Sequence, residues 1–477
     1  MRDSVRVDEP ARGTHVAFAR GMPQRGEAYT WTFGVGLPGV AIRLLVWVAL
    51  GVTSPRAADA GSFFLEEQSV TGSGRALAGQ SALADDASAL FYNPANVAGK
   101  PWAQVTLGTY TALTWADLDD AGSATATPGS GGSPVVTHGG DGGNPFAPTI
   151  LGGLAMSMPL PDERSWVGLG VSVPFGIDSD YGDEWFGRYS TTRTELIVAD
   201  VSPTAGIALT DTLTVGASLI FRYARGKLES ALPDPLAPGG PSPATDGAFS
   251  VEGDDWDLAY ALGLRWEPRP GTTLGLAYRS GTRADLDGHA RFSGLNGPLA
   301  ARNGRISAST QLRLPSIALL GIAHQLTPRW MLMAQVNRFE WSDFDVVQID
   351  LADGTRIDNV QGYHDTWSVS VGTEYRYSER LTLRAGAEID KSPVDDRLRP
   401  ARTPDDDRLR VAAGFTYALR DNLKIDFAYV HVFVEDSDLD RTDAVFAGTP
   451  VVSSVRTHAR TEARSDLFGL SLRYHYY

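Results

Sequence analysis

The segment Leu381–Asp390, which reads LTLRAGAEID, alternates between two kinds of side chain at every step. Leucine, alanine and isoleucine occupy the odd-numbered positions, whereas Thr382, Arg384 and Glu388 are among the even-numbered ones. A repeat of two residues is the period of a β-strand, whose successive side chains point to opposite faces. The segment therefore predicts a strand with one apolar face and one polar face.

The same pattern recurs nearer the C-terminus. Residues 423–429 read LKIDFAY, and residues 470–476 read LSLRYHY, so leucine, isoleucine and aromatic residues alternate with polar or small ones. Comparable segments of ten to twenty residues fill the chain after Pro101. Strands of this kind, polar along one whole face, are typical of a transmembrane β-barrel.

Short and long connections alternate between these strands. Short turns are expected at residues 161–164, 210–212, 267–271, 326–329, 377–380 and 419–422, and long polar loops at 117–148, 231–250, 285–302 and 436–456. Tight turns on one side and long loops on the other are typical of outer-membrane barrels. We therefore predict an all-β membrane protein, an antiparallel barrel of about fourteen strands with both termini periplasmic. A soluble propeller is disfavoured because no repeat of about 40 to 50 residues is found.

Composition excludes several other classes. The 477 residues include no cysteine, so no disulfide or thiolate metal site is possible. A net charge of -15 disfavours nucleic acid as a partner. The eight histidines show no metal spacing, and no cofactor is expected. Acidic residues at 395–396 and 405–407 suggest either a calcium site or, in preference, a solvated loop.

The N-terminal region has the order of a secretory signal. The apolar run at residues 44–52 is too short to span a bilayer as a helix, follows Arg43, and precedes Ala58-Asp59-Ala60. We expect residues 1–60 to be a signal peptide with an over-long extension, and the mature chain to begin at Gly61.

Residues 61–100 are rich in small residues and lack the strand period. A short helix is expected at residues 82–92, ended by Pro94, because the residue before a proline avoids helical geometry. Asp85 and Asp86 are better explained as caps or as partners of wall arginines than as catalytic acids.

Residues 66–99, EEQSVTGSGRALAGQSALADDASALFYNPANVAG, resemble the N-terminal hatch of the FadL family, outer-membrane transporters of long-chain fatty acids and aromatic hydrocarbons. Further similarity follows at residues 173–177, 185–189, 276–280, 390–394, 404–408 and 467–469. The resemblance implies a fourteen-stranded barrel (residues 101–477) closed by a hatch (residues 61–100), which passes hydrophobic compounds inward without chemistry.

The resemblance also implies roles for individual residues. Ligand is expected to be held near the mature N-terminus, at Gly61, Ser62, Phe63, Phe64 and Leu65. It would leave sideways where the third strand kinks, at Pro174, Phe175 and Gly176; proline cannot donate to a ladder and glycine weakens pairing, which independently favours a break there. The tripeptide Asn93, Pro94 and Ala95 is expected to fix a turn of the hatch rather than to touch ligand.

One departure from the family concerns charge. Two positions where fatty-acid carriers place basic side chains in the pocket correspond here to Ser230 and Asn359. Arg225, Lys227 and Arg356 lie nearby in sequence as possible carboxylate partners. Because burying an unpaired carboxylate is costly, this pattern favours neutral ligands.

The expected function is outer-membrane diffusion of long-chain fatty acids or other hydrophobic compounds, gated by movement of the hatch. Expected partners are these small molecules, outer-membrane lipid and lipopolysaccharide, and the barrel assembly machinery, with the protein a monomer. The alternatives are a non-specific porin and a lipase-like barrel enzyme, although no nucleophile, base and acid stand out as a set.

Overall fold

The structure, a computed structural model, describes residues 62–395 and 397–476. The predicted signal at residues 1–60, Gly61 and Asp396 lie outside the described residues.

The helices are short and the strands are long. The helices are α1 (Val70–Ser73) and five 3-10 helices, Ala87–Phe91, Pro94–Val97, Pro128–Ser130, Gly297–Arg302 and Trp341–Asp343. The strands are β1 (Ala103–Asp120), β2 (Ala124–Ala126), β3 (Pro134–Val136), β4 (Thr149–Pro159), β5 (Ser165–Asp180), β6 (Arg193–Ala208), β7 (Leu213–Leu232), β8 (Gly247–Arg269), β9 (Thr272–Arg279), β10 (Thr282–Ser293), β11 (Gly304–Leu314), β12 (Ile317–Thr327), β13 (Trp330–Phe339), β14 (Val346–Leu351), β15 (Arg356–Val360), β16 (Thr366–Arg376), β17 (Leu381–Asp390), β18 (Arg408–Arg420), β19 (Leu423–Val434), β20 (Ser437–Val445) and β21 (Ser453–Tyr476). No helix in the described part of the chain is long and apolar enough to cross a membrane.

Fourteen of these strands form a closed antiparallel ring. Its order is β1, β4, β5, β6, β7, β8, β9, β12, β13, β16, β17, β18, β19 and β21. The ring closes where β1 pairs with β21, from Ala103↔Tyr476 to Asp120↔Ala459. The predicted fourteen-stranded barrel is confirmed.

The barrel is apolar outside and polar inside. On β17, Leu383 and Ile389 are 41% and 55% exposed, whereas Arg384 and Glu388 point inward and are buried. On β21, Leu470 and Leu472 are exposed while Arg473 is buried. In a soluble protein the apolar side chains would be inside, so this arrangement is stable only where lipid covers the outer face. It confirms the predicted strands with one apolar and one polar face.

The short turns lie where they were predicted, but all four of the predicted long loops contain strand residues. Half of residues 285–302 belong to β10, and residues 436–456 contain β20 and the start of β21. Residues 117–148 contain the end of β1 with β2 and β3, and residues 231–250 contain the end of β7 and the start of β8. The prediction of loops there was wrong because the strand pairing continues into these polar segments. Their polar side chains face water, as Asp285 and Asp287 do, while Leu286 is buried.

Inside the ring lies the hatch, here residues 62–100. The helix predicted at residues 82–92 is wrong for its first half, since helical structure covers only Ala87–Phe91. Asp86 is extended and its side chain accepts a hydrogen bond from the Ser88 amide, so it acts as an N-cap. Pro94 not only follows this helix but begins the next one, a position where its missing N–H costs nothing.

Candidate ligand pathway through the lumen

The body of the hatch lies directly against glycines of the barrel wall. A Cβ added at Gly275 would overlap the Ser81 carbonyl, and one at Gly386 would overlap the Arg75 carbonyl. Close approach of two backbones is a common reason for glycine within a strand. The wall glycines that a hatch atom approaches in this way are Gly168, Gly170, Gly206, Gly216, Gly263, Gly275, Gly321, Gly372, Gly386 and Gly414. The hatch body is thus in tight contact with the wall on most sides.

The tripeptide Asn93-Pro94-Ala95 lies at one of these contacts. The Asn93 Oδ1 accepts a hydrogen bond from the Ala95 amide at 2.9 Å, and its Nδ2 donates to the carbonyls of Ser81 (2.7 Å) and Leu264 (3.0 Å). These bonds tie a hatch helix both to another part of the hatch and to strand β8.

The two adjacent aspartates are bonded within the hatch and to the wall. Asp85 pairs with Arg75 at 2.6 Å, which is a hatch residue rather than the expected wall arginine. Asp86 caps a helix, accepts from the Thr71 hydroxyl at 2.8 Å and lies 3.9 Å from Arg473 of the wall. Both aspartates therefore have structural partners, as the sequence suggested, and not the surroundings of catalytic acids.

The N-terminal segment Ser62–Leu65 leaves the hatch body and crosses the lumen. The Ser62 hydroxyl donates to the Tyr363 hydroxyl at 2.9 Å, and the Ser62 amide donates to Asp405 at 3.0 Å. Burial raises the pKa of Tyr363, which keeps its hydroxyl neutral.

Two phenylalanines of this segment pack into a group of aromatic rings. The ring of Phe63 lies 5.0 Å from Trp341, 5.1 Å from Phe344 and 6.1 Å from Phe175, and Phe64 lies 5.0 Å from Phe175. Each such pair contributes about 0.5–1.5 kcal/mol beyond simple burial.

The pairing of β5 is irregular at the predicted kink. The register with β6 shifts between Ser172 and Phe175, so two residues oppose one. A bulge of this kind bends a strand locally. The edge of β5 that does not pair with β6 bonds to the N-terminal segment. There the Pro174 carbonyl accepts a hydrogen bond from the Leu65 amide (2.7 Å), and the Gly176 amide donates one to the Phe63 carbonyl (2.9 Å).

The wall has a gap between β4 and β5 at this height. The two strands pair only from Pro159↔Trp166 to Leu154↔Val171, and within the described chain residues 149–153 of β4 pair with β1 alone. Beyond Val171, β5 therefore has the N-terminal segment, not β4, as its hydrogen-bonding neighbour on this edge.

A small cavity, the wall cavity, lies behind this gap. It is bounded by β4 and β5 on one side and by the hatch on the other. Leu151, Leu154, Val171, Val173, Leu90 and Glu67 are among its lining residues.

A second cavity, the loop-side cavity, is lined by Phe63 of the N-terminal segment. Its apolar lining includes Phe63, Ile177, Leu196, Leu286, Leu312 and Phe344. Its charged lining residues are Glu195, Lys227, Glu252 and Arg402. Phe63 lines this cavity, and Val173 of the bulge lines the wall cavity. The N-terminal segment and the bulge therefore lie between the two cavities.

The possible carboxylate partners are distributed unequally. Ser230 and Asn359 do not line the loop-side cavity, and neither do Arg225 and Arg356. Lys227 does line it, but its ammonium pairs with Glu229 at 2.7 Å. Arg356 is exposed and pairs with Asp350 at 2.7 Å.

Several lining residues were not foreseen from the sequence. Phe344, Tyr363 and Arg402 come from segments between strands that fold back over the N-terminal segment, as does Trp341, which packs against Phe63. The only signal in the sequence was the aromatic content of these segments, and it does not distinguish a segment that folds into the lumen from one that is exposed to water.

The acidic loop after β17 is another correction. Asp405 is buried and accepts from the Ser392 hydroxyl (2.8 Å) and from Arg408, Asp406 pairs with Arg399 (2.6 Å), and Asp407 pairs with Lys391. A solvated loop was therefore the wrong expectation for Asp405, because this loop folds into the barrel mouth. In the described part of the chain no cluster of acids and histidines suits a metal.

Comparisons with known proteins agree with this architecture. Residues 51–476 match the model of a family described as outer membrane protein transport protein (OMPP1/FadL/TodX). The chain is 27% identical over 413 residues to a long-chain fatty acid transport protein of Escherichia coli O6:H1, covering 80% of this chain and 90% of the relative. It is 25% identical over 448 residues to outer membrane protein P1 of Haemophilus influenzae, covering 87% and 95%.

Solved structures show the same fold. A FadL homologue from Pseudomonas aeruginosa is similar with a TM-score of 0.78 at 26% identity, covering 87% of this chain and 99% of that one. The Pseudomonas putida toluene transporter TodX shares the fold with a TM-score of 0.62 at 20% identity, covering 87% and 100%. Because the family model spans nearly the whole barrel and its hatch, this chain belongs to the OMPP1/FadL/TodX family of outer-membrane transport proteins and is not an enzyme.

Proposed function

We propose that the protein lets long-chain fatty acids or related hydrophobic compounds diffuse across the outer membrane and releases them sideways through its wall. The observation that carries this proposal is the position of the N-terminal segment. It hydrogen-bonds to β5 at Pro174 and Gly176, where β5 has separated from β4, and it also lines the loop-side cavity with Phe63.

The loop-side cavity is the proposed site of capture. Most of its lining is apolar and a few polar and charged groups interrupt it, which is typical of small-molecule sites. A ligand that enters from the loops replaces water against this lining, which is favourable at about 25 cal/mol per Å² of apolar surface.

Movement of the N-terminal segment is the proposed gate. A ligand that displaces Phe63 also pulls on Leu65, and these two residues make the two backbone hydrogen bonds to β5, through the Phe63 carbonyl and the Leu65 amide. Each is worth only about 1 kcal/mol net, so ligand binding can offset their loss. The hatch body is held by far more contacts, including that of Asn93, Pro94 and Ala95 with the wall, and we assign these residues to a fixed scaffold.

Sideways release follows from the fixed hatch body. A solute that passes Phe175 enters the wall cavity and faces the gap between β4 and β5. An apolar solute is more stable in the lipid beyond the gap than in water below the hatch. The break at Pro174, Phe175 and Gly176 is the exit in this proposal.

The remaining assignments belong to the same proposal. Residues 1–60 are a signal peptide, 61–100 the hatch and 101–477 the barrel. The exposed apolar band of the strands contacts outer-membrane lipid and lipopolysaccharide, and the chain is inserted by the barrel assembly machinery and works as a monomer.

Deleting residues 61–65 tests the gate. We expect the variant to assemble, because residues 62–65 belong to no strand of the ring, but to bind and take up labelled fatty acid differently from the wild type. The measurements are uptake into cells, ligand affinity in detergent, and heat-modifiable mobility as the check on assembly. Unchanged uptake together with unchanged affinity would show that the segment is neither pocket nor gate.

A further inference from the structure

We propose that the outer face of the barrel wall binds a phosphate group of lipopolysaccharide between Arg283 and Arg313. These two arginines lie on β10 and β11, and neither lines one of the two cavities. The inference rests on the contact with lipopolysaccharide in the proposed function, and it names the site of that contact. It is independent of the compound that passes through the lumen.

Both side chains point away from the lumen. Arg283 is exposed and lies between Thr282 and Ala284, whose side chains are buried. Arg313 is half-buried and lies between two leucines that belong to the core inside the barrel. Because successive side chains of a strand point to opposite faces, the two guanidinium groups lie on the outer face of the wall.

The two arginines are direct partners across the pairing of β10 with β11. Arg283 stands opposite Arg313 in the register of these strands. The Cβ atoms of such partners are about 4.5–5.5 Å apart, and like charges in these positions repel each other. An anion between them removes the repulsion, and a phosphate has enough oxygens to accept hydrogen bonds from both guanidinium groups.

The acidic side chains nearby do not neutralise this pair of charges. No carboxylate among the described residues forms an ion pair with either guanidinium, and the Arg313 Nε donates instead to the neutral Gln311 at 2.9 Å. Asp257 accepts from the backbone amide of Arg283 at 3.1 Å, and Asp285 accepts from the Gln311 amide group at 2.9 Å. The two positive charges therefore attract an anion from outside the chain.

The arginines stand at the height of the outer membrane boundary. On β8, Trp256 and Trp266 are both exposed on the outer face and are ten residues apart. At about 3.3 Å per residue and a tilt of about 40°, their separation along the membrane normal is about 25 Å, the height of the apolar band. Trp266 precedes the short periplasmic turn, so Trp256 marks the external boundary. The hydrogen bond to Asp257 places Arg283 beside this tryptophan.

The wall next to the arginines suits the acyl chains of the same lipid. Leu276 and Tyr278 of β9 and Leu320 of β12 are exposed on the outer face, and the small Ala318 stands opposite Tyr278. In an outer membrane the external leaflet consists of lipopolysaccharide, whose phosphates lie directly above its acyl chains. This lipid therefore matches both the charge of the site and the apolar surface beneath it.

The test measures lipid binding to the full barrel in mild detergent by native mass spectrometry. The probes are lipid A, lipid A from which the phosphates have been removed, and phosphatidylglycerol. Because hydrogen bonds to charged groups are among the stronger ones, we expect the wild type to bind lipid A at least about ten-fold more tightly than the dephosphorylated form. It should also bind lipid A more tightly than phosphatidylglycerol, whose smaller acyl part covers less of the wall. Arg283→Gln and Arg313→Gln should each weaken lipid A binding about ten-fold and change binding of the dephosphorylated form less than about two-fold.

The matched control is Arg305→Gln. Arg305 is also an exposed residue of β11 that stands opposite an arginine, Arg291, but it lies eight residues farther along the strand, about 20 Å beyond the boundary. This variant should bind lipid A as the wild type does. Thermal unfolding without lipid is a second measurement: because loss of one of two like charges relieves repulsion, Arg283→Gln and Arg313→Gln should be at least as stable as the wild type.

The inference is wrong if the wild type binds lipid A equally well with and without its phosphates, or if Arg305→Gln weakens binding as much as the other two variants. Binding of phosphatidylglycerol as tight as that of lipid A would identify a general phospholipid site and would also overturn it. Uptake of palmitate is a separate measurement, and it should be unchanged in Arg283→Gln and Arg313→Gln. A wild type that takes up no palmitate would contradict the proposed transport and leave the lipopolysaccharide site in place.

Discussion

Arg410 is the residue on which the junction between hatch and wall is centred. Its guanidinium lies 3.1 Å from Glu388 and 3.7 Å from Asp390 of the wall, and 3.3 Å from Glu66 and 3.9 Å from Glu67 of the hatch. All five side chains are buried. Without the arginine, four acidic side chains from two parts of the chain would face one another in a low-dielectric interior.

Replacing Arg410 with methionine should therefore be strongly destabilising. Breaking a buried pair by removing one partner costs about 3–5 kcal/mol, and here the loss also loosens the hatch. Denaturant unfolding in detergent measures the effect. The matched control is Arg456→Met, since Arg456 pairs with Asp440 at 2.7 Å in an exposed position and should contribute less than about 1 kcal/mol. Equal losses in the two variants would contradict this account.

Single residues were the hardest level to predict. The sequence correctly suggested that Asp86 is a cap, because an aspartate before a short helix has a local reason to be there. Arg402 and Tyr363 had no such local signal. Their positions depend on loops that fold back onto a segment some 300 residues away, as the contact between Ser62 and Tyr363 shows, with a separation of 301 residues.

At the scale of elements, the wall glycines that contact the hatch determine whether the hatch fits inside the barrel. A methyl group at Gly275 would occupy the place of the Ser81 carbonyl, which cannot shift without moving the hatch. We expect Gly275→Ala to displace the hatch and to raise the conductance of the barrel to small ions in a planar bilayer. Gly108→Ala is the control, because its Cβ would lie 3.7 Å from Val70, an ordinary contact. Indistinguishable conductances in the two variants would mean that the glycines do not hold the hatch in place.

Strands were predicted well where one face meets lipid and poorly where it does not. In β17 and β21 the apolar residues point outward and the period of two is obvious. In β10 and β20 the polarity is reversed and the exposed face carries charged residues, so these segments resembled loops. The helix at residues 82–92 was over-predicted because alanine and leucine favour helix locally, whereas Asp86 and the wall contacts fix another conformation.

For the whole molecule, the strand number followed from the alternation of short turns and long loops, which is a property of the entire chain. The gap between β4 and β5 did not follow from it. A single sequence shows that Pro174 cannot donate a hydrogen bond to a neighbouring strand. It does not show that residues 149–153 of β4 lack pairing with β5. The path that we propose through the two cavities and the gap could be formulated only once the register of the closed barrel was known.

Closing the gap between β4 and β5 tests this path most directly. The pairing that ends at Leu154↔Val171 would next join Gly153 and Ser172. Because the natural chain has no cysteine, Gly153→Cys with Ser172→Cys can be joined selectively by a short bifunctional thiol reagent. The control pair, Met156→Cys with Leu169→Cys, lies where the strands are already paired.

We predict that joining residues 153 and 172 stops uptake of labelled palmitate while leaving its binding in the loop-side cavity intact, and that joining 156 and 169 leaves uptake unchanged. Uptake at the wild-type rate with the gap closed would show that the solute leaves by another route, and would contradict sideways release.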